Sequence, residues 1–177
     1  MSCAKIISKT KLNSKWVLWF HSPDEKSWEI DSYKNIAEFD TIEDFWQLQN
    51  KITPTHIQYG MFFIVRENIM PIWEDKNNIE GGCWSFKLPK KDIYKAWTEL
   101  AVALIGESIY KNKQNIMNIN GISISPKKSF SILKIWNKNK NENNLILLNE
   151  NIPNLDINSC IYKPHISDET YTENQEE

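Results

Sequence analysis

Apolar and aromatic residues recur along the chain in short runs that predict β-strands. These runs are bounded by turn-forming residues and span 15–22, 59–68, 83–88, 121–126, 131–136 and 159–164. The segment IMPIWE, residues 69–74, is predicted as a further short edge strand, because Pro71 cannot donate to a central hydrogen-bond ladder. We expect it to form a hairpin with 83–88, and we expect 121–126 to form a second hairpin with 131–136.

Two longer segments have the periodicity of helices. Residues 39–52 contain Thr41, a good N-cap, followed by acids in the first predicted turn. Residues 92–109 place apolar side chains every three or four positions, which is the period of a helix that packs on one face. Residues 145–148 fit either a strand or one helical turn. Together these elements predict an α+β fold, in which a curved antiparallel β-sheet has helices packed on its convex face.

Composition limits the classes of protein to which this chain can belong. Its 177 residues suit one domain with a substantial core, and a net charge of −2 argues against a large non-specific nucleic-acid interface. Three cysteines, Cys3, Cys83 and Cys160, are odd in number and far apart, without the spacing of a zinc site. We therefore expect a reducing compartment, with neither a disulfide framework nor a bound metal.

The two ends of the chain differ in composition from its middle. We expect residues 10–166 to form a single domain, preceded by a short tail at 1–9 and followed by an acidic, disordered tail at 167–177. No apolar stretch is long enough for a signal peptide or a membrane span. The sequence therefore predicts a cytoplasmic monomer that does not associate with membranes.

Eight tryptophans are a large number for a chain of this length. Four of them lie within apolar periodic segments and are predicted to pack in the core: Trp16, Trp19, Trp84 and Trp97. Trp28, Trp73 and Trp136 lie instead in a loop or at the ends of predicted strands. Each of these three could be a partly buried residue at the edge of the sheet, or all three could converge there.

Two facing indoles would suit a flat, electron-poor ring. A cationic ring between them gains about 0.5–2 kcal/mol per face from attraction to the π electrons. Glu74, beside Trp73, could accept two N–H donors from a guanine edge. Lys127 and Lys128, at a hairpin tip, could hold phosphates. Glu74 and Asp75 are expected to point to opposite sides of their strand, so they would not form a catalytic acid–base pair.

Seven short motifs follow one another between roughly residues 10 and 166. They are KWVLWF, DEKSW, FDTIEDFW, PIWED, GGCW, LIGES and the strand end KIW. In this order they resemble the translation initiation factor 4E family, whose members bind the 5′ cap of messenger RNA. The resemblance implies that the curved sheet has a cap-binding slot on its concave face.

The resemblance also implies roles for the residues of the slot. Trp28 and Trp73 would enclose the 7-methylguanine, and the backbone N–H of Trp73 would donate to O6. Glu74 would accept from the N1 and N2 donors, and Trp136 would touch the N7 methyl group. His165 matches a histidine near a loop that contacts the second nucleotide or the phosphates of the cap, although a plain surface histidine explains it equally well.

The phosphate end of the slot departs from the family pattern. Cys83 replaces the usual arginine of GGRW, and Lys127 stands where a hairpin arginine is usual. Lys128 and Lys134 could compensate, since Lys134 lies on the slot face of its predicted strand. Lysine lacks the bidentate fork of arginine, so we expect looser contacts to the triphosphate. Solvated lysines that contact no ligand are the alternative.

A second candidate surface lies on the longer predicted helix. Glu99, Val102 and Gly106 fall opposite its core-facing side, where a valine and a glycine are unusual for a solvated surface. With Ile42 and Trp46 they resemble the dorsal patch that binds 4G-type scaffold proteins and repressors through a YxxxxLΦ helix. Incidental apolar exposure is the alternative. The His-Pro that usually precedes the first strand is absent, so the choice of partner could be restricted.

The leading functional hypothesis is a non-catalytic subunit that binds capped mRNA, as m7GTP or m7GpppN, and recruits a scaffold for translation initiation. A cap-binding competitor that represses translation is the second hypothesis, and an interaction module with a vestigial slot is another. An enzyme is disfavoured, because the sequence has no GxxxxGK[ST] motif, no metal-ligand cluster and three isolated histidines, His21, His56 and His165. We expect no catalytic residue and no cofactor.

Overall fold

A computed structural model describes residues 8–166, which form one antiparallel sheet of seven strands with helices against it. The strands are β1 Lys11–His21, β2 Tyr33–Thr41, β3 Met61–Arg66, β4 Gly82–Pro89, β5 Ile119–Pro126, β6 Phe130–Asn137 and β7 Ile161–Pro164. Their order across the sheet is β2-β1-β3-β5-β6-β4-β7. The tails predicted at 1–9 and 167–177 lie outside the described residues, except for Ser8 and Lys9.

Three α-helices cover one face of this sheet. They are α1 Ile42–Gln49, α2 Pro54–Tyr59 and α3 Ile93–Ile105. The hydroxyl of Thr41 accepts from the backbone N–H of Asp44, as predicted for the N-cap of the first helix. Short 3-10 turns occur in the connections at Ile30–Ser32, Lys113–Asn118, Leu145–Leu147 and Ile157–Ser159. The predicted α+β class is confirmed, and one helical turn rather than a strand forms near 145–148.

The alternation along each strand divides its side chains between the two faces of the sheet. On β3, Phe62 and Ile64 point towards the helices, whereas Met61 and Phe63 point to the opposite face. The larger core lies between the sheet and the helices, and its fully buried indoles are Trp16, Trp84 and Trp97. Trp19, also predicted for the core, is only partly buried and packs on the opposite face.

The segment 69–74 is a loop, so its prediction as an edge strand was wrong. Side chains satisfy the backbone groups that a neighbouring strand would have bonded. Asp75 Oδ2 accepts from the N–H of Met70 at 2.9 Å, and Asn78 Nδ2 donates to the Met70 carbonyl at 3.0 Å. The predicted orientation of Glu74 and Asp75 across a strand was therefore also wrong. Strand β4, the expected hairpin partner, pairs with β6 and β7 instead.

Both predicted helices are shorter than their sequence patterns suggested. Residues 39–41 complete β2, and α3 ends at Ile105. Gly106 is the C-cap of α3, with φ −80°, and is not an interior helical residue as predicted. The cost of a glycine inside a helix therefore does not apply to it. The next residue, Glu107, adopts the left-handed backbone conformation instead, with φ 51°. Strand β2 and helix α2 have no counterpart among the predicted elements.

The single arginine of the sequence is buried at the end of β3. Its guanidinium lies 4.6 Å from the ring centre of Trp16, and Nε of Arg66 donates to the carbonyl of Ile119 at 2.8 Å. Nη1 is 3.4 Å from Glu107 Oε1, and Glu107 also accepts from Ser14 Oγ at 3.0 Å. Burial lowers the pKa of Arg66, and the charge of Glu107 opposes that effect. This cluster joins β1, β3 and the end of α3.

Replacing Glu107 by alanine should destabilise the fold strongly. The buried charge of Arg66 would be left without its partner, which typically costs about 3–5 kcal/mol. As a control, Glu150→Ala removes an exposed partner of Lys111 at 3.3 Å, and its loss should cost less than about 1 kcal/mol. Urea unfolding measures both free energies of unfolding. Equal losses in the two variants would contradict a structural role for the Arg66–Glu107 pair.

Candidate functional site

A cavity of about 320 Å³ opens on the face of the sheet opposite the helices. A second apolar cluster lies beneath it and consists of Tyr33, Met61, Phe63, Cys83 and Trp136. These residues come from four different strands and share one face because side chains alternate along each strand. The volume falls at the lower end of the range usual for small-molecule pockets.

Trp28 and Trp73 reach this cavity from two different loops. Trp28 lies between β1 and β2, and Trp73 lies in the loop 67–81 between β3 and β4. Their side chains are 56% and 45% exposed, which is high for indoles in a folded domain. The structure thus brings together two large apolar rings, far apart in the sequence, that the fold leaves half uncovered.

Trp136 forms part of the floor of the cavity and is 8% exposed. Its Nε1 donates to Ser123 Oγ at 2.9 Å, and its ring meets that of Phe63 edge-on with 6.5 Å between ring centres. The hydrogen bond satisfies the buried indole nitrogen and fixes the orientation of the ring. Trp136 is therefore a packed residue that presents only part of its surface to the cavity.

Glu74 lines the cavity beside Trp73, and polar side chains hold the loop that carries both residues. Asp75 and Asn78 close this loop on itself through the hydrogen bonds described above. Asn120 Nδ2 donates to Asn78 Oδ1 at 2.9 Å and so fastens the loop to β5. The sequence analysis did not identify the two asparagines, because buried amide pairs leave no signal in hydrophobic periodicity.

Tyr33 is a further cavity residue that the sequence analysis missed, since it begins the unpredicted strand β2. Its side chain is buried and lines the cavity together with Ser123 and Ser125. Burial, and then the nearby charge of Glu74, raise the pKa of Tyr33 to about 12. The hydroxyl therefore remains protonated at neutral pH and can donate a hydrogen bond.

Lys127 and Lys134 also line the cavity, whereas Lys128 does not. Lys127 lies in the turn between β5 and β6, which its backbone N–H closes by donating to the carbonyl of Phe130 at 2.8 Å. Lys134 lies on β6, half-buried, and also lines an adjacent cavity of about 260 Å³. Cationic groups therefore border the space lined by indoles.

The adjacent cavity is also lined by Lys163 and His165, which the pairing of β7 with β4 brings there. The ring of His165 lies 4.9 Å from that of Trp136. Burial, and then the charge of Lys134, lower the pKa of His165 to about 4. His165 is thus half-buried and stays neutral at mildly acidic pH, where an ordinary surface histidine would gain a proton. Lys163 was not identified, because the sequence does not reveal which strand β7 joins.

The second candidate surface lies on the side of the molecule that carries the helices. Three apolar side chains are exposed there: Ile42 at 40%, Trp46 at 41% and Val102 at 37%. Glu99 is half-buried, and Gly106 is exposed at the end of α3. A hydrogen bond of 3.0 Å from Gln49 Nε2 to Thr98 Oγ1 connects α1 with α3. The two helices that carry the predicted residues are therefore in direct contact.

Neither a metal site nor a membrane-spanning helix is found in residues 8–166. No group of three or more His, Cys, Asp or Glu side chains in this range is arranged to hold a metal ion. None of its helices is long and apolar enough to cross a membrane. Cys83 and Cys160 are both free thiols.

The sequence matches one protein family over almost its whole length. The family model described as Eukaryotic initiation factor 4E matches residues 11–177. The initiation factor 4E of Eremothecium gossypii is 37% identical over 140 residues, which cover 73% of this chain and 63% of that protein. The chain therefore spans less than two thirds of the length of this relative.

Solved structures share the fold. The structure of initiation factor 4E-3 of Ascaris suum, in a complex with m7G cap, matches with a TM-score of 0.76 at 26% identity. The match covers 90% of this chain and 93% of the Ascaris chain. A Schistosome initiation factor 4E complexed with m7GpppG and 4E-BP has a TM-score of 0.68 at 28% identity, over 76% and 75% of the two chains. The family match and the sequence identity show that the chain belongs to the eukaryotic initiation factor 4E family.

Proposed function

We propose that this protein binds the 7-methylguanosine 5′ cap of mRNA and recruits a 4G-type scaffold for translation initiation. The observation that carries the proposal is the cavity lined jointly by Trp28, Trp73 and Glu74, with Trp136 in its floor. Family membership supports it, and the Ascaris and Schistosome relatives form complexes with cap compounds. The ligand would be m7GTP or the m7GpppN end of a capped message.

The base would stack between the two exposed indoles. Methylation at N7 makes guanine cationic, and each indole face attracts a cation by about 0.5–2 kcal/mol. Stacking on an aromatic side chain contributes about 1–3 kcal/mol per base whether or not the base is methylated. The electrostatic contribution therefore gives the preference for the methylated base. Trp136 would contact the N7 methyl group.

Glu74 would identify the base as guanine. Its carboxylate can accept from N1–H and from the N2 amino group together, a two-point contact that typically discriminates by about 1–3 kcal/mol. The backbone N–H of Trp73 would donate to O6. The loop closed by Asp75 and Asn78 would hold these groups in place before the ligand arrives, which reduces the entropy lost on binding.

The triphosphate would contact lysines in place of arginines. Lys127 and Lys134 line the main cavity, and Lys163 and His165 line the adjacent one. Lysine is a point charge without the bidentate geometry of arginine, so it would hold phosphates less rigidly. The neutral ring of His165 could contribute a hydrogen bond but no charge at pH 7. Lys128 has the weakest support, since it lines neither cavity.

The exposed apolar side chains of α1 and α3 would form the scaffold-binding surface. Ile42, Trp46 and Val102 would receive the apolar residues of a YxxxxLΦ helix. Glu99 and Gly106 would lie at the edge of that contact. The complex of the Schistosome relative with 4E-BP supports a partner-binding surface in this family. Because the helices and the cavity lie on opposite faces of the sheet, cap and scaffold could bind at the same time.

We infer a binding protein and not an enzyme. Stacking, hydrogen bonding and charge are sufficient for cap recognition, so the proposed function requires no catalytic residue, cofactor or metal. The protein would act as a cytoplasmic monomer, in the compartment where capped messages are translated.

Replacing Trp73 by alanine should abolish retention on a cap-analogue resin. Glu74→Ala should weaken m7GTP binding by about 1–3 kcal/mol, because it removes both acceptors for the guanine edge. Quenching of tryptophan fluorescence measures the affinities. Tyr59→Ala, which removes an exposed aromatic residue outside the cavity, is the control and should bind normally. Retention of Trp73→Ala at wild-type strength would refute the assignment.

Lys127→Ala should flatten the salt dependence of m7GTP binding, because one phosphate contact, and the ion release that accompanies it, would be lost. Lys128→Ala alters the next residue of the same turn, outside the cavity, and should leave the slope unchanged. The slopes come from quenching titrations at several potassium chloride concentrations. Identical slopes in wild type and Lys127→Ala would exclude Lys127 from phosphate binding.

Trp46→Ala should abolish capture of a YxxxxLΦ peptide and preserve m7GTP binding. The substitution removes a large exposed side chain from the helical side of the molecule and leaves the cavity unchanged. Trp28→Ala should have the opposite effects, since this residue lines the cavity. A peptide pull-down and a quenching titration on each variant complete the comparison. Peptide binding that survives in Trp46→Ala, or that disappears in both variants, would contradict the proposed scaffold site.

A further inference from the structure

The imidazole of His21 is stacked on Trp28. The two rings are 4.4 Å apart between centres and 5° from parallel. His21 is the last residue of β1, pairs with Tyr33 and Met61 on the neighbouring strands, and has no exposed surface. Trp28 lines the cavity, whereas His21 does not. An indole carried by a loop is therefore supported by a ring that belongs to the sheet.

One hydrogen bond orients the imidazole. Nε2 of His21 lies 2.9 Å from the carbonyl oxygen of Ser27, the residue before Trp28. A carbonyl oxygen can only accept, so Nε2 carries the proton. Nδ1 is buried and has no hydrogen-bond partner within residues 8–166. The geometry therefore accommodates the neutral ring, because a proton added at Nδ1 would be buried without an acceptor.

The groups around His21 include few charges. Trp28 and Tyr33 cover its ring, and Met61 is its neighbour on β3. Glu25, in the loop after β1, interacts electrostatically with His21. Backbone hydrogen bonds are the main reason that the pKa of Glu25 is lowered, and His21 adds a smaller effect.

On the cavity side, the charge of Glu74 acts on Tyr33. Tyr33 therefore interacts both with His21 and with the carboxylate proposed to read the base. The ring of Tyr33 is 4.7 Å from that of His21 and inclined to it by 55°. His21 thus packs against the ring of Tyr33 on the neighbouring strand and the ring of Trp28 on the loop.

We propose that His21 is a positioning residue of the cap-binding slot. It is a neutral third ring that holds Trp28 in the plane required for stacking and leaves the indole π electrons available to a cationic base. This inference rests on the proposed function. An imidazolium behind Trp28 would compete with 7-methylguanine for the same π electrons.

Two substitutions distinguish the effect of the aromatic ring on binding from the effect of its volume. His21→Leu fills much of the space without a flat π surface, and it should weaken m7GTP binding by about 5- to 10-fold near neutral pH. His21→Phe restores a neutral ring and should recover most of that loss. Thermal unfolding of both variants establishes that the proteins compared are folded, and quenching of tryptophan fluorescence measures the affinities.

Each outcome addresses a different statement. Failure of the wild type to bind m7GTP would overturn the proposed function itself. Wild-type affinity in folded His21→Leu would overturn the positioning role while the proposed function stands. Failure of folded His21→Phe to recover the affinity lost in His21→Leu would overturn the requirement for a ring behind Trp28.

Discussion

The requirement to cover both faces of one sheet governs the whole molecule. All six residues of β3 are buried, because alternate side chains pack beneath the helices or within the second apolar cluster. Helices pack on the first face. The second face is covered by loops, and these bring Trp28 and Trp73 to the margins of an aromatic floor that includes Trp136 and Phe63. A flat ring bound there would complete the packing of an apolar surface that the chain covers only in part.

Hydrophobic periodicity predicted most of the sheet and the long helix, since those patterns are local. It failed where contacts from elsewhere decide the structure. Residues 69–74 have the composition of an edge strand, yet side chains of Asp75 and Asn78 take up their backbone groups. Strand β2 was missed because only three of its nine residues are buried, so that its alternation is weak. Gly106 was misplaced because α3 ends one residue before it.

The aromatic part of the candidate site could be named from the sequence, because indoles beside polar loops are conspicuous. The charged part could be named only in part: Glu74, Lys127 and Lys134 line the cavity, but the sequence does not separate Lys127 from the adjacent Lys128, which only the turn geometry does. The contributions of His21, Tyr33 and Asn120 depend on ring stacking and strand pairing. Neither property is visible in the spacing of residues along one chain.

Arginine and lysine side chains occupy different places in this structure. The single guanidinium, that of Arg66, is buried with Glu107 inside the fold. The cationic side chains at the two cavities are primary amines, those of Lys127, Lys134 and Lys163. Acetylation neutralises a lysine amine and does not act on a guanidinium. Acetylation of individual lysines could therefore lower the positive charge at the cavity rim one charge at a time. The ion pair that stabilises the fold would be left intact. A rim built from arginines could not be modified in this way.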